Sequence, residues 1–444
     1  MKNNLFFIKT CDDFLAGKLE NLSIDENIGT GSLLLSNNSQ TYNKNGIYTS
    51  KVIDLIPFKR LLVSWNCETP KGTWIEVQAR AFVTYHDENK NPTYEWSEWL
   101  SFGKWGTHIK RASISPDSQL AKISTDEFIV KGSETDIADK VQVRAILHTN
   151  DTTVTPYLRQ LTISCKSNEP RMKSIEISSN KIIDVPKYSQ YIRDEDIKGV
   201  ICSPTSVTML LNSKKENLLV EETAWSCFDY DYNAFGNWLF NVSYASSLGY
   251  EAYAQYGNLK SLKDEINNDY PVAVSVKYTN DLNNTKYPYI ENAPMTTDGH
   301  LLVVCGLEKI NGVDYVVVND PAGKDNELVN RRYKLEEFEN AWCRSNYLMY
   351  VIHDKEVEVK TSRIEASLFP IKYSDNKNLF GVLVEDKLIN LSPEFAKTIL
   401  ITFDDGLTFE YLTAYSNKYL HLENQSNCSI YVIGEDGFTY TCGF

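Results

Sequence analysis

The sequence predicts an α+β chain in three parts: an antiparallel β-sandwich over residues 1–166, a mixed helix-and-strand domain over 182–354, and a small β-rich domain over 355–444. Three observations predict it. Apolar residues alternate with period two between about Ile47 and Cys165, helical spacing sets in just after Cys202, and short apolar runs separated by Gly and Asp turns return beyond Lys355. With 444 residues, 42% hydrophobic and 23% charged, the chain has an ordinary globular composition and length for two or three domains.

Residues 1–40 are polar and rich in Asn and Ser, with Phe6, Phe7, Phe14 and Leu33 to Leu35 as packing points. Beyond them Ile75, Val77, Ala79, Ala81 and Val83 alternate with Glu76, Gln78, Arg80 and Phe82, and Val141, Val143, Ala145 and Leu147 repeat the pattern. Turns at Pro70-Lys71-Gly72 and Asn89-Lys90-Asn91-Pro92 separate the strands, which is the pattern of a sandwich. Trp65, Trp74, Trp96, Trp99 and Trp105 all fall here; exposed rings would stack on a sugar or peptide, whereas strands more often use such rings to fill the core or a domain seam. Lys166 to Lys181 is charged and strand-poor, a linker pattern.

Net charge −14 and pI near 5.1, with no basic stripe, argue against nonspecific contact with nucleic acid or an anionic membrane. The opening Met1 to Lys9 holds too short an apolar run for a signal peptide, and no run approaches the roughly 20 residues of a membrane helix. Nine dispersed cysteines, odd in number and without C-x-x-C spacing, read as free thiols with no structural zinc. Together these predict a cytoplasmic protein with no metal, no cofactor, no nucleic-acid partner and no membrane contact.

The second part is organised around Cys202. Pro204 suits the first turn of a helix, and Val207, Leu210 and Leu211 recur at helical spacing, so Cys202 falls at a helix N-terminus. Free N–H groups and the helix dipole there favour a thiolate, well below the free thiol value of about 8.5. Gln190 lies before a charged looped segment from which its amide can fold back as an oxyanion donor. His300 follows Thr297-Asp298-Gly299 and opens the apolar run Leu301 to Val304. A second run, Tyr315 to Val318, follows the turn Asn311-Gly312 and ends in Asn319-Asp320-Pro321-Ala322-Gly323. A hairpin of these runs brings His300 and Asp320 to one end of a sheet, as a base and its orienting carboxylate require. A helix is also expected after Gly236 to Val242 and through Leu248, another at Leu259 to Ile266, and a buried strand at Pro271 to Val276. The long loop Tyr278 to Thr297 should flank the cleft.

Tyr188-Ser189-Gln190, Cys202-Ser203-Pro204-Thr205-Ser206, Gly236-Asn237-Trp238, Asp298-Gly299-His300-Leu301 and Asn319-Asp320-Pro321-Ala322 occur in that order. In this the chain resembles the C39-like cysteine peptidase family of papain-like fold, over roughly Ile183 to Ile352. Trp65 and Pro70 to Trp74 resemble the β-rich part that precedes the domain in some bacterial members. The resemblance implies Cys202 as nucleophile, His300 as base, Asp320 as orienter and Gln190 as oxyanion donor. Asn237 and Trp238, with Gly299 and Asn319, are expected to bind substrate or support those four. Cys305 lies in an apolar strand and reads as inert core. His86, His108, His148, His353 and His421 have no catalytic or metal context, and Asp404-Asp405 reads as a solvated turn rather than a calcium loop.

A thioester on Cys202 has two fates. Water makes a peptidase; an amine makes an amide-forming acyltransferase. The missing export and membrane segments tilt the expectation toward the second, since the chain also resembles the papain-like ligase that joins acyl thioester units to a diamine in closthioamide-type biosynthesis. The expected partners are an acyl thioester, free or carrier-protein-bound, and an amine; the alternative is a peptide substrate. A binding module with a vestigial triad is a third class, and the presence of all four residues argues against it.

Overall fold

The computed structural model describes residues 4–38, 40–86, 91–166, 168, 170–359, 363–365, 367–373, 377–384, 387–389, 396–404, 406–412 and 428–443. His421, Asp405 and the Asn89-Lys90 half of one expected turn lie outside them.

The alternating stretch forms two seven-stranded antiparallel sheets. In one, the long strand Thr73–His86 pairs with Ile137–Thr149, setting Ile75 opposite Leu147, Val77 opposite Ala145 and Ala79 opposite Val143. These residues are buried while their neighbours on the other face are half exposed, as a period of two requires when one face meets a core. The other sheet centres on Arg60–Glu68 and Tyr157–Cys165, which are buried almost throughout. Their second face is covered by the helix Trp238–Ser247 and the strand Tyr250–Tyr256. Ser64 and Ser164 hydroxyls accept the backbone N–H groups of Ala254 and Tyr256, both at 3.0 Å, and Ser246 Oγ donates to the Trp65 carbonyl at 3.3 Å.

The tryptophans divide accordingly. Trp65 and Trp105 are buried against Phe240, with ring centroids 6.4 and 5.3 Å away. Trp74 stacks on His148 at 4.9 Å, and the Trp99 ring lies 4.8 Å from the Arg80 guanidinium and 4.2 Å from that of Arg144. The Trp96 ring also lies 4.8 Å from the Arg80 guanidinium, so two rings fill a seam and three are occupied by the protein's own side chains.

The remaining large sheet runs in the order Tyr250–Tyr256, Leu348–Lys355, Val272–Tyr278, Thr297–Ile310, Val313–Asn319, Asn330–Lys334, every neighbouring pair antiparallel. Helices Cys202–Ser213, Val220–Cys227 and Trp238–Ser247 precede it, and Leu259–Asn267 and Leu335–Cys343 lie between strands. The strand carrying His300 begins at Thr297, three residues before the histidine where the sequence suggested a start. Pairing of Tyr278 with Thr297 extends the strand past a bulge. Asn311 and Gly312 both have positive φ (51° and 84°), as a two-residue hairpin turn demands, and Ile310 pairs with Val313 across it.

The C-terminal strands form a five-stranded sheet with the order Arg363–Glu365, Thr439–Gly443, Ser429–Gly434, Ala396–Thr402, Glu410–Leu412. Lys377–Val384 belongs to a separate three-stranded sheet.

Arg159 bolts the seam. Its side chain is 1% exposed and donates to Glu68 Oε1 at 2.8 Å, to a Glu356 carboxylate oxygen, and to the Ser246 carbonyl at 2.8 Å. Removing one member of such a group leaves the others charged in a dry site. Arg159→Ala is therefore expected to lower unfolding free energy by about 3–5 kcal/mol, measured by urea denaturation.

Candidate active site

Cys202 is the first residue of its helix and is half buried. Ile201 before it contributes no side-chain cap, so the first-turn N–H groups stay free for the sulfur or for an incoming oxygen. Val207, Leu210 and Leu211 are buried, as is every residue from Ser203 to Leu211, so the helix is enclosed on all sides behind Cys202. Ser206 Oγ donates to the Leu301 carbonyl at 3.3 Å, fixing the helix against the strand that carries His300.

His300 is 2% exposed, and its Nε2 donates to Asp320 Oδ1 at 2.7 Å. Its other ring nitrogen serves the hydrogen bond to Cys202. Burial disfavours the imidazolium, but the Asp320 and Cys202 charges and hydrogen bonds outweigh it and push His300 up to about 10. Burial likewise raises the Cys202 thiol, yet the His300 charge and hydrogen bond, helped by the backbone N–H groups of Leu301 and Ser203, hold it below its ordinary value. A thiolate facing an imidazolium is the resulting pair. It is a ready nucleophile beside a ready proton donor.

Asp320 sits one residue past the strand Val313–Asn319 and is fully buried. Burial raises its carboxyl, but the His300 charge and four donors bring it below the usual carboxylate range. Oδ1 also accepts the Ala322 N–H at 2.9 Å, and Oδ2 accepts the hydroxyls of Tyr278 at 2.9 Å and Tyr333 at 2.8 Å. Sequence reasoning missed both tyrosines as site residues. They are 55 residues apart, one ending the strand next to that of His300 and the other opposite Val316, so no local spacing links them.

Gln190 is 2% exposed. Its backbone N–H donates to the Pro321 carbonyl at 2.9 Å, and its Nε2 to the Lys198 carbonyl at 2.8 Å. Ser189 reinforces this, its hydroxyl on the Gly323 carbonyl and its N–H on Asn326 Oδ1 at 2.8 Å. Asn319 donates from Nδ2 to the carbonyls of Val185 and Pro186 at 3.0 and 3.1 Å. It therefore ties the approach to Gln190 to the strand that delivers Asp320.

Asn237 and Trp238 have other hydrogen-bond partners. Asn237 caps the helix Trp238–Ser247 through Phe240 N–H at 3.1 Å and donates to Asp229 Oδ2 at 2.8 Å, and the Trp238 N–H donates to Asp126 Oδ2 at 2.7 Å. Trp238 and Cys202 pack against the same apolar cluster. Gly299 is exposed with open space around it; its N–H goes to Thr297 Oγ1 at 3.1 Å. The 278–297 loop reaches the site rim through Met295, whose sulfur accepts the Tyr191 hydroxyl at 3.5 Å. Tyr191 lies close enough to Cys202 and Asp320 for their charges, after burial, to raise its phenol. Cys305 is buried, its Sγ on the Val317 carbonyl at 3.4 Å.

Replacing both tyrosines, Tyr278→Phe with Tyr333→Phe, strips Asp320 Oδ2 of its hydroxyl donors and raises the carboxyl. The acid limb of the pH–rate profile should move up by about one pH unit while the neutral plateau persists. Stopped-flow acylation across pH 4–8 would read it; an unmoved limb would mean the hydroxyls only pack.

Two family models match the chain. Residues 182–350 match the Peptidase_C39 like family, and residues 9–165 match the Peptidase C39 N-terminal domain. No curated protein matches. Among solved structures the chain is similar to digestive procathepsin L 3 of the Tenebrio molitor larval midgut, at 18% identity over 42% of this chain and 71% of that one, with a TM-score of 0.27. It is also similar to TmCBM61 in complex with β-1,4-galactotriose, at 8% identity over 34% and 90%, with a TM-score of 0.19. A third is the CBM22-1–GH10 part of the Clostridium thermocellum xylanase Xyn10B, at 15% identity over 43% and 32%, with a TM-score of 0.18.

Proposed function

We propose, from the premise that this chain carries a C39-like peptidase family domain at residues 182–350 behind a C39 N-terminal domain at 9–165, that it is a thiol hydrolase cleaving amide bonds through an acyl-enzyme on Cys202. The observation that carries the reading is the hydrogen-bonded line from Cys202 through His300 to Asp320, with both His300 and Asp320 buried. In this reading the helices ahead of the antiparallel sheet form a papain-like domain at 182–354, flanked by units at 1–166 and 355–444.

The Cys202 thiolate attacks the acyl carbon, and the carbonyl electrons move onto its oxygen. That oxyanion is met by the Cys202 N–H at the helix start and by the Gln190 amide. Collapse to the thioester expels the amine, which takes its proton from the His300 imidazolium. Neutral His300 then deprotonates the water that hydrolyses the thioester, and Asp320 stabilises the imidazolium each time it forms. Neither step needs a metal or cofactor. An amine acceptor in place of water would make the protein the amide-forming transferase that the sequence suggested.

Intact-mass measurement with acyl thioesters and a peptide library, beside Cys202→Ala, tests both. Cys202-dependent peptide cleavage, with any adduct discharged by water, supports the hydrolase. An adduct discharged faster by a diamine than by water makes the protein a transferase. No adduct and no cleavage would overturn acyl transfer altogether.

A further inference from the structure

We propose that the C-terminal sheet, through Thr398, is the element that aims the Gln190 amide, so that the region beyond residue 355 positions the oxyanion site. The proposal rests on the acyl-enzyme reading above, with Gln190 as oxyanion donor.

Gln190 Nε2 has one acceptor among the described residues, the Lys198 carbonyl at 2.8 Å, and its Oε1 is buried without a partner. The direction of the amide is thus set by where the Lys198 carbonyl stands. Lys198 closes a turn whose N–H groups return to Asp194: the Lys198 N–H donates to the Asp194 carbonyl at 2.8 Å and the Ile197 N–H to the same oxygen at 3.1 Å. The Asp194 side chain, 6% exposed, anchors that turn. Its Oδ1 accepts the Asp196 N–H at 3.0 Å, and its Oδ2 accepts the Thr398 hydroxyl at 2.7 Å.

Thr398 is 2% exposed, on the strand Ala396–Thr402 in the middle of the five-stranded sheet. Its hydroxyl also accepts the Trp225 Nε1–H at 2.9 Å, which leaves its own proton for Asp194. The sheet is held on the same helix nearby. Arg363 pairs with Glu222 at 2.7 Å, and the Tyr411 hydroxyl donates to Glu221 Oε1 at 2.8 Å. A continuous set of buried and part-buried hydrogen bonds therefore runs from the C-terminal sheet through Asp194 and Lys198 to Gln190. A buried carboxylate oxygen that loses its donor will seek another, and the turn that carries Lys198 is the part free to follow.

The test separates chemistry that forms an oxyanion from chemistry that does not. Acylation by an activated ester passes through one, whereas alkylation by iodoacetamide displaces iodide at carbon and does not. In Thr398→Val, acylation of Cys202 should fall about tenfold, less than the 10²–10³ typical of losing an oxyanion donor outright. The alkylation rate and its pH profile should match wild type. Thr398→Ser, which keeps the hydroxyl, should restore acylation, and Trp225→Phe offers a second variant should Thr398→Val fail to fold. Acylation and alkylation falling together would mean displacement of the whole site, and unchanged acylation would mean the contact is packing only; either overturns the proposal. A wild-type protein that alkylates yet takes no acyl group from any ester overturns the acyl-enzyme reading itself, and this proposal with it.

Discussion

Cys202→Ala is expected to abolish acylation and turnover while shifting the thermal midpoint by no more than a few degrees. The sulfur is the half-buried nucleophile of the Cys202–His300–Asp320 line, whereas His300 Nε2 and the Asp320 carboxylate are buried and bonded to each other, so loss of the sulfur removes the route to the acyl-enzyme. Stability changes little because the His300–Asp320 bond and the buried faces of Val207, Leu210 and Leu211 remain. His300→Ala carries the companion result in pH. In wild type Cys202 is held below its ordinary thiol value and His300 is raised to about 10, so the ion pair spans the range from below the ordinary thiol value up to about pH 10. Iodoacetamide should therefore alkylate wild-type Cys202 measurably at pH 6, where a free thiol barely reacts. Without His300 the burial that raises the thiol goes unopposed by the imidazolium, and the reaction should appear only above about pH 8.5. Peptide-resolved alkylation by mass spectrometry would measure both, and equal rates at pH 6 in the two proteins would dispose of the ion pair.

Asp320→Asn is expected to lower the acylation rate by about 10²–10⁴-fold without unfolding the protein. Asparagine retains one oxygen for the His300 N–H, so some orientation survives. It supplies no negative charge to the imidazolium, and its NH₂ group would have to face either that N–H or the hydroxyls of Tyr278 and Tyr333, all of them donors in the native site. The two tyrosine hydroxyls can rotate to accept from the new amide; the His300 N–H cannot. The alkaline limb of the acylation profile should move down in the same variant, because the His300 pKa falls when its anionic partner is gone and the imidazolium that protonates the leaving amine is lost earlier. Full activity in Asp320→Asn would remove the aspartate from the reaction and leave it a packing residue.

Much of the candidate site was legible because its signals are local. Pro204 and the helical spacing behind it mark the start of one helix, and the helix places Cys202 at that start. Asn311-Gly312 forces a two-residue turn, and a two-residue turn fixes which residues of the hairpin lie at the same end, so His300 and Asp320 had to approach. The half-exposed, half-buried alternation of Thr73–His86 was equally readable. Arg60–Glu68 was not, since its second face is buried by a helix some 170 residues later in the chain, an event no periodicity records.

The sequence by itself determined the identity and order of the four expected site residues and the elements that carry them, because caps, turns and periodicity act within a few residues. Tertiary structure alone decided what surrounds them. Tyr278 and Tyr333 converge on Asp320, Asn319 ties down the approach to Gln190, Thr398 reaches Asp194 across 204 residues, and Arg159 joins Glu68 to Glu356. Each of these unites segments distant in the chain. Their partners are chosen by which buried polar group would otherwise go unsatisfied, a condition that exists only once the surfaces have closed and water has left.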